Sequence, residues 1–121
     1  MKRISDAKRA ELDAGDERRY WSCCQTHCWL CHGKYGTGGR YRNCHEMVGG
    51  NAWRRVTVLD RHWWFSCCQR CHETLTSTPK RDELIRLLRI KKAMDKENYS
   101  LRVVNSVWGK HHAPIKAREV T

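Results

Sequence analysis

Apolar and polar positions alternate most regularly over residues 79–97, with the period of an α-helix. The apolar positions that share one face of this helix are Leu84, Leu87, Leu88 and Met94. Thr78 can cap the helix, and Pro79 suits its first position because the first turn leaves amide hydrogens unpaired in any case. The pattern therefore predicts a helix that begins at Pro79.

The pattern elsewhere is weaker. Residues 5–19 carry small apolar residues at helical spacing and predict a weak helix. Residues 32–43 are rich in glycine and predict a loop or hairpin turn, and residues 53–60 alternate loosely and predict a short strand. The apolar stretch within residues 99–121 fits either a second helix or a strand, and we expect the last few residues to fray.

Eight cysteines lie between residues 23 and 71. Charged residues make up 31% of the chain, so apolar side chains are scarce. We therefore expect a cross-link, such as a metal ion or disulfides, to stabilise the small core. The N-terminal residues lack the apolar stretch of a signal peptide, and no run is long enough to cross a bilayer. We therefore expect a cytoplasmic protein without a membrane segment. In a reducing compartment such as the cytoplasm, cysteines bind metal more often than they form disulfides.

Two pairs of cysteines, each separated by two residues, predict a tetrahedral zinc site, because thiolates suit zinc better than harder cations. The predicted ligands are Cys28, Cys31, Cys68 and Cys71. Trp63, Trp64 and Phe65 would form a small core beside this metal. A second zinc ion is an open alternative to the simpler interpretation that the other cysteines are small buried hydrophobes. Its candidate ligands are Cys23, Cys24, His27, Cys44, His45, Cys67 and His72.

The two cysteine pairs also predict the fold. The thirty-six residues between them leave room for a hairpin, and the second pair would open a helix. We predict a small α+β, zinc-stabilised domain with a treble-clef-like core, a short hairpin and C-terminal helices. Its regions are an N-terminal weak helix or flexible arm over residues 1–22, a zinc-binding core over 23–78 and a basic helical region over 79–121.

The net charge of +11 favours a polyanionic partner, most often nucleic acid, over a merely solvated basic surface. Residues 79–121 hold eleven basic and five acidic side chains, and much of the excess follows one side of the predicted helix. The basic residues that we expect to contact phosphates are Arg81, Arg86, Arg89, Lys92 and Lys96. Tyr41, Trp53 and Trp64 could stack on unpaired bases if exposed, although core packing is the commoner use of tryptophan.

The segments "CWLC" and "CQRCHET" resemble the zinc-containing branch of the HNH endonucleases, which are found often in phages and mobile elements. The resemblance covers roughly residues 28–75. It implies a treble clef in which His45 is a general base and His72 a ligand of the catalytic metal, with Asn51 at the family's central asparagine. Cys44 stands where the family has Asp or His, and a thiolate is a poor ligand for magnesium.

The leading hypothesis is therefore a zinc-binding, nucleic-acid-binding or transcription-regulatory module, an accessory protein of phage or mobile-element type that binds rather than cuts. The first alternative is an HNH-type, metal-dependent endonuclease. The second is a zinc-stabilised adaptor that binds a host protein such as a polymerase through its aromatic residues.

Overall fold

A computed structural model of the protein describes residues 6–7, 10, 26–48, 60–76 and 79–121. The other residues carry several of the sequence predictions. Those that lie mostly or wholly outside the described residues are the helix over 5–19, the strand over 53–60, the cap at Thr78, and the roles of Cys23, Cys24, Asn51 and Trp53.

The described residues form a small α+β unit with one two-stranded antiparallel sheet and three α-helices. The strands are β1 (Arg42–Glu46) and β2 (Trp64–Cys68), and the helices are α1 (Gln69–His72), α2 (Arg81–Met94) and α3 (Leu101–Trp108). Single turns of 3-10 helix lie at Arg61–Trp63, Lys96–Asn98 and Ala117–Glu119. The α+β class and the hairpin between the two cysteine pairs are thereby confirmed.

Strand β2 is buried along its whole length, and this explains its composition. In the sheet His45 lies opposite Phe65, and Cys44 lies opposite Ser66. A strand that is covered on both faces does not alternate between apolar and polar residues, and only Ser66 interrupts the apolar sequence of β2. Helix α1 follows β2 directly, which places the second cysteine pair at this junction.

Helix α2 confirms the predicted helix, with different ends. Its N-cap is Lys80, which is extended and makes no side-chain cap bond. Pro79 therefore precedes the cap, and its predicted place at the first helical position is wrong. Pro79 is not helical because Lys80 after it is still extended, with a ψ of 160°, so the helical turn starts only at Arg81.

The buried face of α2 differs from the predicted face at one position. Leu84, Leu87 and Leu88 are fully buried, as predicted, whereas Met94 is 40% exposed. Lys91 takes the place expected for Met94 and has no exposed surface. Position 91 continues the leucine face, because it follows Leu87 and Leu88 at helical spacing. Met94 is the last residue of the helix.

The C-terminal apolar stretch forms a helix, α3, rather than a strand. Ser100 caps it, since its hydroxyl accepts a hydrogen bond from the amide of Val103 at 3.3 Å. The buried side chains of this helix are Val104, Val107 and Trp108.

The last residues pack against the domain, so the expectation that they fray is wrong. Val120 is only 3% exposed. The carboxylate of Glu119 accepts hydrogen bonds from Arg81 at 2.8 and 3.1 Å.

The aromatic residues form one continuous core with the leucines of α2 and the valines of α3. Trp29 meets Phe65 edge to face, with ring centroids 5.1 Å apart, and Trp63 is fully buried. The predicted aromatic core beside the cysteines is thereby confirmed. Trp64 is 4% exposed and belongs to this core, so it does not offer a ring for stacking on bases. Among the described residues, no helix has the length and apolar character needed to span a membrane.

Candidate metal centre and basic surface

Residues 28–33, which we call the knuckle, form a tight turn closed by backbone hydrogen bonds. The amide of His32 donates to the carbonyl of Cys28 at 3.0 Å, and the amide of Cys28 donates to the carbonyl of Gly33 at 3.0 Å. His32 has a φ of +62°, a left-handed conformation that a non-glycine residue adopts only at some cost. This turn brings Cys28 and Cys31 to the same side of the chain.

Backbone amides point at the sulfurs of the knuckle. Cys28 Sγ accepts from the amides of Leu30 and Cys31 at 3.3 and 3.4 Å. A hydrogen bond from the amide of Gly33 is the main reason that the pKa of Cys31 falls to about 6. Donors aimed at a sulfur stabilise its anionic form, which is the form that binds a metal ion.

The knuckle is fastened to β2 at Ser66. The amide of Trp29 donates to the carbonyl of Ser66 at 3.2 Å, and the hydroxyls of Tyr35 and Ser66 are 2.6 Å apart. At the end of β2 the amide of Gln69 donates to the carbonyl of Tyr41 at 2.7 Å. These contacts place the second cysteine pair, at the β2–α1 junction, beside the first.

The four predicted ligands meet at this point. The sulfurs of Cys28, Cys31, Cys68 and Cys71 all lie within 4.8 Å of one another. Cys31 Sγ and Cys68 Sγ are 3.9 Å apart. A tetrahedron of zinc–sulfur bonds of about 2.3 Å has its sulfurs about 3.8 Å apart, so the cluster has the size of a zinc site. All four are free thiols, and burial together with hydrogen bonds among the cysteines raises the pKa of Cys71.

The candidate second metal site does not assemble among the described residues. Within residues 26–48, 60–76 and 79–121, only the four-cysteine cluster brings three or more suitable side chains close enough to share an ion. Cys44 and Cys67 are buried, and burial raises the pKa of Cys67, which keeps that thiol neutral. His27 is exposed at the start of the knuckle, with Nδ1 2.8 Å from the hydroxyl of Thr26.

His45 and His72, the two histidines that the nuclease resemblance singles out, do lie together. Their ring centroids are 5.2 Å apart at an interplanar angle of 66°. His45 comes from β1 and is 3% exposed, whereas His72 ends α1 and is half-buried. The pair thus spans the strand and the helix of a β–β–α arrangement, with one ring inside the core.

The five predicted phosphate-binding residues, four in α2 and Lys96 in the 3-10 turn after it, differ in whether the fold already engages their charge. Arg81 is half-buried and engaged by Glu119, and it also donates to the carbonyls of Ala113 and Pro114 at 2.7 and 3.1 Å. Arg89 donates through Nε to the carbonyl of Glu119 at 2.9 Å but stays exposed. The charge of Arg81 is therefore compensated within the fold.

Three of the basic residues, Arg89, Lys92 and Lys96, line a groove beside the C-terminal segment. Its volume is about 380 Å³, and it is lined by Arg89, Lys92, Ala93, Lys96, Val120 and Thr121. The ammonium of Lys92 lies 5.9 Å from the centre of the Tyr99 ring. Arg86 is exposed on a neighbouring groove with Asp82 and Ile85. Three positive side chains around one groove favour an anionic ligand.

Two features of the site escaped the sequence analysis. Lys91 is buried, and its place on the leucine face at helical spacing was the available signal. Arg40 and Arg70 line a cavity beside the cysteine cluster, and no sequence spacing relates them to it.

The chain matches no protein-family profile, no curated protein and no solved structure.

Proposed function

We propose that the protein is a zinc-binding module that binds nucleic acid. One structural zinc ion would be held by Cys28, Cys31, Cys68 and Cys71, and exposed basic residues of α2 would contact phosphates. The observation that carries the proposal is the basic groove of α2 on a domain whose cysteine cluster already suits a structural metal.

Zinc is the metal that best suits the cysteine cluster. Four thiolates at tetrahedral spacing are the donor set of structural zinc sites, and four protein ligands leave no position for a reacting water. The order of knuckle, hairpin and helix supports the proposal of a treble-clef-like core. When bound, the ion would cross-link the knuckle to the β2–α1 junction and so stabilise a small core.

Phosphate binding is supported by charges that the fold leaves available. Arg86 and Lys96 are exposed, and Arg89 and Lys92 line the groove. Tyr41 is 73% exposed at the start of β1, and a solvent-facing aromatic ring can stack on an unpaired base. Exposed bases occur in single strands, which favours RNA or single-stranded DNA over duplex DNA.

The test is nucleic-acid binding measured by fluorescence anisotropy at two salt concentrations, with single-stranded and duplex probes. Lys92→Gln combined with Lys96→Gln should weaken binding to all sequences. The salt slope should fall by about 0.7 to 0.9 for each phosphate contact removed. Arg102→Gln, on the exposed side of α3, is the control for the loss of one charge, so the two effects are compared per charge removed. Wild-type protein that binds no probe at low salt contradicts nucleic-acid binding and leaves a protein-binding adaptor.

The second candidate is an HNH-type endonuclease, and the contact between His45 and His72 favours it. In that activity one histidine would activate water and the other would help to hold a divalent ion on the phosphate. The burial of His45 weighs against it, because a general base must reach the attacking water.

Plasmid nicking with magnesium or manganese tests this candidate. If the wild type nicks DNA, and His45→Ala abolishes nicking while nucleic-acid binding is retained, the endonuclease is the better assignment. The absence of nicking in the wild type leaves the binding module.

A further inference from the structure

A cavity of about 290 Å³ lies beside the cysteine cluster and joins thiols to positive charge. Its lining combines Cys31, Cys68 and Cys71 with Arg40, Arg70 and Thr74. Cys31 is the exposed member of the cluster, so this side of the sulfurs is the side that solvent reaches. The two arginines are the only charged side chains in the lining of this cavity.

Two glycines make room for the side chain of Arg40. A Cβ atom on Gly33 would lie 1.9 Å from Arg40 Nε, and one on Gly38 would lie 2.6 Å from Arg40 Nη1. Gly33 does not have a positive φ, so a left-handed backbone is not the reason for glycine at this position. Its lack of a side chain is therefore explained by the close approach of the guanidinium to the knuckle.

The side chain of Arg40 lies against Gly33 of the knuckle and lines the cavity beside the cysteines. Nε is buried and, among the described residues, has no conventional hydrogen-bond partner. Nη1 makes a long contact of 3.4 Å with the carbonyl of Thr37. A buried charged donor is costly unless an acceptor compensates it, and the cavity that Arg40 lines is also lined by Cys31, Cys68 and Cys71.

We propose that Arg40 supplies the positive charge that balances the thiolates of the metal centre. Its side chain packs against Gly33, and this contact positions the guanidinium on the solvent side of the sulfurs. The proposal rests on the proposed zinc site. Four thiolates on a divalent ion carry two excess negative charges, and a cation next to them lowers the free energy of the loaded centre.

Arg70 is the second positively charged residue that lines the cavity. It lies in α1 directly before Cys71, and its Nη1 donates to the carbonyl of Gly38 at 3.2 Å. This bond ties the loop that carries Arg40 to the helix that carries Cys71. Arg70 thus adds a second positive charge and holds the first one in place.

Metal affinity, measured by competition with a chromophoric chelator and by the absorption of the cobalt-substituted protein, tests the proposal. Arg40→Ala should lower the affinity roughly ten- to a hundred-fold, the usual cost of losing a group that supports metal ligands. Arg40→Lys keeps the charge and should recover part of the loss. Arg102→Ala removes an exposed charge on α3 and should leave the affinity unchanged.

A double-mutant cycle checks the role of Gly33. Gly33→Ala should lower the metal affinity in the wild type, because the new methyl group displaces the guanidinium. In the Arg40→Ala background the same change should have little further effect, since the two sites would then no longer interact. Additive losses would mean that Gly33 serves the knuckle by itself and would overturn the seating of Arg40.

The possible failures are distinguishable. Wild-type protein that binds neither zinc nor cobalt removes the zinc centre and the role of Arg40 with it. Wild-type protein that binds metal tightly, with Arg40→Ala equally tight, overturns only the role of Arg40. If Arg40→Ala does not fold with zinc, Arg40→Gln is measured in its place. A metal affinity of Arg40→Gln within roughly two-fold of the wild-type affinity would count against the proposal.

Discussion

The ammonium group of Lys91 lies 5.7 Å from the centre of the Trp29 ring, although Lys91 belongs to α2 and Trp29 to the knuckle. The same group donates to the carbonyl of Arg61 at 3.0 Å and to the carbonyl of Trp64. A single buried lysine therefore connects the basic helical region to the first cysteine pair and to the start of β2.

The first prediction is that Lys91 is a major source of stability. Lys91→Ala leaves the carbonyls of Arg61 and Trp64 without this donor and opens a cavity, so we expect a loss of about 3 kcal/mol in the free energy of unfolding. Lys91→Met fills much of the volume and should cost less. Urea unfolding with excess zinc, followed by tryptophan fluorescence, measures both changes.

Lys96 provides the control for this experiment, because it is exposed in the 3-10 turn after α2. Lys96→Ala removes the same charge and should change the free energy of unfolding by less than about 0.5 kcal/mol. A similar small effect for Lys91→Ala would show that the buried contacts of Lys91 contribute little.

The second prediction concerns the number of metal ions. We expect one zinc ion per chain, lost in Cys71→Ser because a neutral hydroxyl is a poor substitute for a thiolate. Cys67→Ala should retain the full metal content, since Cys67 is buried with a raised pKa outside the four-sulfur cluster. Elemental analysis of the purified proteins gives the zinc-to-protein ratio.

A second zinc site would give a different result. The wild type would then hold two ions, and Cys67→Ala would lose one of them if Cys67 is among the ligands. That outcome would also place residues outside the described ranges, such as Cys23 or Cys24, among the ligands.

The cysteine cluster was predictable because its signal is local. A pair of cysteines two residues apart can reach one ion from a single turn, whatever the rest of the fold does. The helix over residues 81–94 was predictable for a similar reason, since its leucines recur at a period that only a helix places on one face.

The contacts that depend on long-range packing could not be predicted. Arg81 and Glu119 are thirty-eight residues apart in sequence, and nothing near either residue indicates the pair. Lysine is rarely buried, so the sequence does not single out Lys91, although position 91 shares the helix face of the leucines. The packing of Arg40 against Gly33 depends on the path of the whole loop between the two residues.

The third prediction separates structural from binding arginines on α2. Arg81→Gln should lower stability, because Arg81 holds Glu119 and two carbonyls of the C-terminal segment. Arg86→Gln should leave stability unchanged and reduce the salt slope of nucleic-acid binding by about 0.7 to 0.9. The two variants carry the same change in charge, so each is the control for the other. Equal effects of both on binding alone would contradict this division.

The last prediction concerns a substitution that should strengthen nucleic-acid binding rather than weaken it. Glu119 pairs with Arg81 and lines one groove with Arg86 and Arg89, and hydrogen bonds from the amide of Lys116 and from Arg81 lower its pKa. Its carboxylate is therefore charged at neutral pH and offsets part of the positive surface. Glu119→Gln should strengthen nucleic-acid binding and steepen its salt dependence, although it removes a contact that holds the C-terminal segment.

Glu73→Gln is the matched control for Glu119→Gln, because it makes the same change in charge at an exposed residue that directly follows α1 and the second cysteine pair. If α2 carries the phosphate contacts, Glu119→Gln should raise the affinity more than Glu73→Gln does. Anisotropy titrations at two salt concentrations make this comparison. An equal gain in both variants would indicate that only the net charge matters, whereas a larger gain for Glu73→Gln would place the contacts beside the cysteine cluster, near Arg40 and Arg70.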